Sequence, residues 1–174
     1  KISETKGQIE AVQAVSILAR NNIPVSLRLA GNFDENYKKK IDKIINENNL
    51  ADNVEYMGFV EDPSLVYSES HITLITSQKE AFGRVIIESM KCGTPVIGAD
   101  TGAVPRIIRP GYNGDLYQKG NPQDLAEKIM YYFEKTGKLS KMSDNSFIWA
   151  NENYNLEKHG REVIDILVRI KNER

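Results

Sequence analysis

The 174-residue sequence predicts an α/β domain on a mostly parallel, doubly wound sheet flanked by helices, with a ligand site at the carboxyl edge of the strands. Two observations predict it. Short β-branched runs (residues 25–30, 54–57, 71–76, 96–97 and 115–117) alternate with longer segments whose apolar residues recur at helical spacing. Residues 77–98, SQKEAFGRVIIESMKCGTPVIG, also read as one complete unit of such a fold. The run 71–76 gives out in a polar loop, and a helix opens at Phe82-Gly83 with Val85, Ile86, Ile87 and Met90 on its stripe. Gly93 suits its C-cap, Thr94-Pro95 forbids continuation, and Val96-Ile97 begins the next buried strand.

Composition narrows the functional classes. The chain is long enough for one globular domain, residues 1–174, and its 40% hydrophobic and 27% charged fractions are those of a soluble protein. Lys+Arg 23 against Asp+Glu 24 leaves no net field, so a nucleic-acid partner is not indicated. The single cysteine, Cys92, forms no internal disulfide and suits a reducing compartment; on the apolar face of the helix it reads as a small buried hydrophobe rather than a nucleophile. No apolar run is long enough to span a bilayer and no signal peptide is evident, so the expected location is the cytoplasm.

Taken in order, the chain opens on Lys1 to Gly7 and enters a helix with Ile9, Val12, Val15, Leu18 and Ala19 at helical spacing. A strand is expected before that helix, and the sequence offers only Ile2 for it. The strand at 25–30 ends in the turn Gly31-Asn32. Residues 34–48 follow as an amphipathic helix, with Tyr37, Ile41, Ile44 and Ile45 inward and Lys38, Lys39, Lys40 and Lys43 outward. Those lysines read as a solvated face before they read as a membrane contact. The strand at 54–57 runs into Gly58-Phe59-Val60, and Pro63 starts a short helix through Leu65, Val66 and Tyr67. His71 has no second ligand at metal spacing and reads as structural. Beyond Gly98, residues 100–105 turn into a short helix ending near Ile108, and Asn113-Gly114 turns into the strand at 115–117. Pro122 sits in the first turn of a helix with Leu125, Ile129 and either Tyr132 or Phe133 on one side. Phe147, Ile148 and Trp149 mark another, and residues 155–174 form a last helix with Leu156, Val163, Ile164, Leu167 and Ile170 as its stripe and His159 on its surface.

The central unit carries chemistry. Free backbone N–H groups at the helix start, around Phe82 to Val85, face the carboxyl edge and favour an anion such as a phosphate. Glu80 in the loop and Glu88 in the helix cannot bind phosphate, but they accept hydrogen bonds from hydroxyls such as those of a sugar or ribose. An isolated pair of this kind reads as a loop acid and an exposed helix residue.

Glu80 and Glu88 with seven residues between them, the EAFG start and the MKCGTPVIG end together resemble the signature of retaining glycosyltransferases with the two-domain GT-B fold, family four. The resemblance extends along nearly the whole chain and identifies it with the carboxyl-terminal, Rossmann-like donor half of such an enzyme. It implies transfer of a sugar from a UDP- or GDP-sugar to an acceptor hydroxyl, in polysaccharide, lipopolysaccharide or glycolipid synthesis, with no metal and no other cofactor. It implies catalytic roles for Glu80 on the donor sugar and for Lys6 and Lys1 on the diphosphate. Lys1 stands where the family has arginine, which removes a bidentate grip on phosphate. Phe82 and Gly83 are implied as backbone contacts beside Glu80, Glu88 at the ribose, and Arg84 and Val85 as further donor contacts; Gly58, Phe59 and Val60 are implied against the base. Ala103 and Arg106 replace a family glycine and glutamate, which narrows backbone approach and reverses a charge on the sugar side. The amino-terminal acceptor domain would be the missing partner, the final helix would cross back over it, and peripheral contact with the inner membrane face would come through the intact protein. This fragment alone is then expected to be inactive. A non-catalytic nucleotide-sugar-binding or regulatory module and an epimerase or phosphorylase half stay open. A nicotinamide-binding domain is disfavoured, because no G-x-G-x-x-G follows a strand.

Overall fold

The strands form where apolar runs meet turn signals; those at 25–30 and 71–76 are shorter than the runs that announce them, and the other three extend beyond theirs. The computed structural model describes residues 1–155, so the helix expected over 155–174, including His159, lies outside the described residues. Among them, a single turn of 3₁₀ helix at Glu4–Lys6 leads into α1 (Gln8–Arg20), β1 (Leu27–Ala30), α2 (Glu35–Glu47), β2 (Val54–Gly58), α3 (Pro63–Ser68) and β3 (Thr73–Ile75). Then follow α4 (Arg84–Lys91), β4 (Val96–Ala99), α5 (Val104–Ile107), β5 (Gly114–Tyr117), α6 (Pro122–Glu134) and α7 (Thr136–Asn153).

Local chemistry places the helix starts. The Asp34 carboxylate accepts from the Tyr37 N–H at 2.9 Å, Asp62 from the Ser64 N–H at 2.9 Å, and the Asn121 side-chain oxygen from the Asp124 N–H at 3.1 Å. Pro63 and Pro122 occupy first-turn positions, where no N–H is needed.

Every strand pairing is parallel, as predicted, but the sheet is in two pieces: β1 with β2, and β3-β4-β5. Between β1 and β3 lies a cleft of about 1220 Å³ walled by residues 27–30 and 72–76, with Ala11 and Val15 of α1 among its lining. Neither facing strand edge has a ladder partner among the described residues. Ile2, the one residue the sequence offered for a strand before α1, forms an isolated parallel bridge to Phe33 and donates its N–H to the Asn32 carbonyl at 2.7 Å. Ile2, Val12 and Val15 pack with Leu29, Ile41 and Ile45 over the first piece. Ile97, Ala99, Tyr117, Leu125 and Tyr132 pack with Ala14 and Leu18 over the second, and Ile86, Met90, Val96, Val104 and Trp149 fill its other face.

Several expectations are corrected, and one left open is resolved. Residues 25 and 26 stay outside β1, whose register shifts between Leu29 and Ala30, while Gly58 joins β2. Lys38 does not stand free in solvent: it pairs with Asp42 at 2.7 Å and lies 4.5 Å from the centre of the Tyr56 ring. Cys92 is at the C-cap of α4 rather than on its apolar stripe, and is half-buried. Of the aromatic pair in α6, Tyr132 is the buried one and Phe133 is exposed; the Tyr132 hydroxyl donates to Asp115 at 2.9 Å, which satisfies its polar end.

Candidate functional site

The carboxyl ends of β1 and β3 and the start of α4 face one another across loops that are stitched together. The Thr76 hydroxyl donates to the Lys6 carbonyl at 2.8 Å, and the Gln78 N–H donates to the Thr5 carbonyl at 2.9 Å. At Gly7, φ is +67° and a Cβ would collide with the Thr76 carbonyl oxygen, so only glycine lets the two loops meet this closely. This contact brings together residues 74 positions apart: the Lys6 ammonium donates to the Glu80 carboxylate at 2.9 Å.

Glu80 has further partners. The Ser77 hydroxyl reaches its carboxylate at 3.3 Å and the Gly83 N–H at 3.4 Å. Burial is the largest influence on Glu80 and opposes its charge, but the hydrogen bond and charge of Lys6, with Gly83 and Ser77, outweigh it and hold the carboxyl below its ordinary value of 4.5. The depressed value means that the ion pair stabilises the fold above 4.5 and loses that contribution as pH falls through the lowered pKa. Urea unfolding of wild type and Glu80→Gln as a function of pH is expected to show the wild-type advantage constant above 4.5 and shrinking below it. A pH-independent difference would show that the charge of Glu80 contributes nothing.

Gly83, with φ at +75°, is the N-cap of α4. The N–H groups of Arg84 and Val85, in the first turn, have no intrahelical acceptor and point out of the helix start. Phe82 precedes the helix and is 64% exposed. Lys1, Lys6, Glu80 and Val85 share the rim of the cleft. The Lys1 backbone is close against Gly31, and its side chain has no ion-pair partner among the described residues.

Glu88 does not line the cleft. It accepts from Arg84 at 3.2 Å as an i,i+4 pair. Burial, followed by the charges of Glu88 and Cys92, pushes the Tyr67 hydroxyl up to about 12. Gly58 ends β2 and Phe59 and Val60 follow it, all three outside the cleft lining; the Gly58 carbonyl accepts from the Gly31 N–H at 2.6 Å, and Phe59 is 73% exposed. The predicted residues thus fall into a group joined by contacts (Lys6, Glu80, Gly83) and flanking groups at the same edge of the fold. Thr76, Ser77 and Gly7 were not anticipated as site residues; Ser77, three positions before Glu80, carried the only sequence signal, a hydroxyl in a polar loop.

Comparison with known proteins fits this arrangement. An uncharacterised glycosyltransferase of Methanocaldococcus jannaschii is 37% identical over 119 residues, covering 67% of this chain and 33% of that protein. The D-inositol 3-phosphate glycosyltransferase of Paenarthrobacter aurescens is 27% identical over 97% of this chain and 44% of its own length. The crystal structure of Anabaena HepE in complex with UDP-glucose superposes with a TM-score of 0.87 at 28% identity, over 97% of this chain and 47% of that one. The chain therefore spans less than half the length of these relatives. Since the family model of the glycosyl transferases group 1 matches residues 1–149, the chain belongs to that family and has the fold of one half of a GT-B enzyme.

Proposed function

We propose that this chain is the donor-binding half of a glycosyltransferase that moves a sugar from a nucleoside-diphosphate sugar to an acceptor hydroxyl with retention of configuration. The observation that carries the reading is the Lys6–Glu80 pair at the carboxyl edge, beside the unpaired N–H groups that open α4. In this reading Glu80 accepts hydrogen bonds from donor-sugar hydroxyls. Lys6, Lys1 and the helix start hold the diphosphate and stabilise the charge that grows on it as the glycosidic bond breaks. Such preorganised charge is the largest contribution in many enzymes, and Lys6 is preorganised by Thr76 and Gly7 through its own backbone. The departing diphosphate takes the acceptor's proton, so no separate protein base is required.

Phe82 and Gly83 are assigned beside Glu80 at the sugar, Glu88 to the ribose, Arg84 and Val85 to the donor as further contacts, and the segment Gly58-Phe59-Val60 to the base. Charge neutralisation is given to these cations and the helix rather than to a metal ion; among the described residues no three His, Cys, Asp or Glu side chains cluster as metal ligands would. The likeness to a protein crystallised with UDP-glucose favours UDP over GDP as the nucleotide. The acceptor half lies in the intact protein, which works in the cytoplasm or against the inner face of a membrane in polysaccharide, lipopolysaccharide or glycolipid synthesis. No described helix is long and apolar enough to cross that membrane.

Calorimetric titration of the intact protein with UDP, GDP and ADP tests the reading. Saturable binding of one nucleotide is expected, and Glu88→Ala should weaken it by about 1–3 kcal/mol, the cost of losing hydrogen bonds to a charged acceptor, or roughly 5- to 150-fold in Kd. Unchanged affinity in the variant would remove Glu88 from the site.

A further inference from the structure

We propose that Gly102 is a positioning residue for Glu80: the turn after β4 fixes the backbone from which that carboxylate reaches the donor. The proposal deepens the reading of Glu80 given above and rests on it. The Ala103 N–H donates to the Glu80 carbonyl at 2.8 Å, and the Thr101 hydroxyl donates to the Gln78 carbonyl at 3.1 Å. Between them Gly102 has φ at +58°, and a Cβ there would lie 2.9 Å from the Glu80 nitrogen, 3.2 Å from its carbonyl carbon and in outright collision with its carbonyl oxygen.

The collision is with backbone, so no side-chain rotation relieves it. The turn has little freedom to retreat. It is continuous with the fully buried strand β4 on one side and with buried Val104 of α5 on the other. Glu80 is the part that must yield, and its contacts leave little slack: Ser77 and Gly83 already reach it at 3.3 and 3.4 Å, near the limit of a hydrogen bond. Gly102→Ala is therefore expected to displace Glu80 from Lys6.

Two other glycines separate this contact from simple backbone strain. Gly111 at φ +72° and Gly120 at φ +80° have nothing within 4 Å of the point a Cβ would occupy, so alanine there meets the same conformational penalty without touching Glu80. The groups facing the Glu80 carboxylate are Lys6, Ser77 and the Gly83 N–H. Carbon-13 titration of the Glu80 carboxyl in the 174-residue chain reads their grip directly. Glu80 should titrate below 4.5 in the wild type, move back toward 4.5 in Gly102→Ala, and stay in place in Gly111→Ala. Thr101→Val, which keeps the turn but removes the bond to Gln78, should move it the same way by less, and serves if Gly102→Ala does not fold. An unmoved titration in Gly102→Ala, or an equal shift in Gly111→Ala, overturns the proposal. Glu80 itself is judged separately: Glu80→Gln should change the ratio of UDP-glucose to UDP affinity in the intact protein, and an unchanged ratio overturns the donor-sugar role even where the titrations agree.

Discussion

Replacing Lys6 by alanine is expected to lower kcat of the intact enzyme by about 10²–10³-fold, the loss seen when one preorganised charge-stabilising donor is removed from a transition state. The expectation follows from where Lys6 is held. Its backbone is fixed by Thr76 and by the close approach at Gly7, so in the proposed role its ammonium would already be in place for a diphosphate, and it is 41% exposed at the side chain. In the described state it neutralises Glu80. Donor binding would exchange that partner for phosphate oxygens while sugar hydroxyls take up the Glu80 carboxylate. Steady-state kinetics on Lys6→Ala and Lys6→Arg separates charge from geometry. If charge dominates, arginine recovers much of kcat; if turnover in the alanine variant stays within about twofold of wild type, Lys6 is no part of the machinery.

A second large effect is expected in the core. Ile97 is fully buried at the centre of β4, flanked by β3 and β5 and packed with Leu18, Tyr117 and Leu125. Ile97→Ala should lower the unfolding free energy by about 2–5 kcal/mol, combining lost transfer energy with the cavity left behind. Urea denaturation should show a lower midpoint with an unchanged slope. A loss below about 0.5 kcal/mol, the size of an ordinary surface change, would contradict the burial of this strand. The same strand leads into the Gly102 turn, so loosening it is expected to reach Glu80 as well.

Local features were legible because they depend on neighbours in sequence. The α4 unit follows from the stripe Ile86, Ile87 and Met90 and its stop by Gly93, although Val85, expected on the same stripe, is exposed; Pro63 and Pro122 mark the starts of their helices as read. The pairing of Glu80 with Lys6 could be proposed only through family likeness, since the residues are 74 positions apart. What stayed hidden depends on where two distant loops end. A glycine needed for lack of space, as at Gly7 and Gly102, looks like any other glycine until its neighbour across the fold is known.

The ties between β1 and β3 have a mechanical consequence. At one end Arg28 of β1 reaches the residues that precede β3, its guanidinium donating to the Glu69 carboxylate at 2.9 Å, the Glu69 carbonyl at 3.0 Å and the Ser70 hydroxyl at 3.1 Å. At the other end the first seven residues act as a strap. Ile2 is tied to Asn32 and Phe33 on one side, while Thr5 and Lys6 are tied to Gln78, Thr76 and Glu80 on the other. Moving the turn after β1 away from the loop after β3 therefore pulls on the segment that carries Lys6, so the spacing of those two loops and the spacing of Lys6 from Glu80 are a single mechanical coordinate.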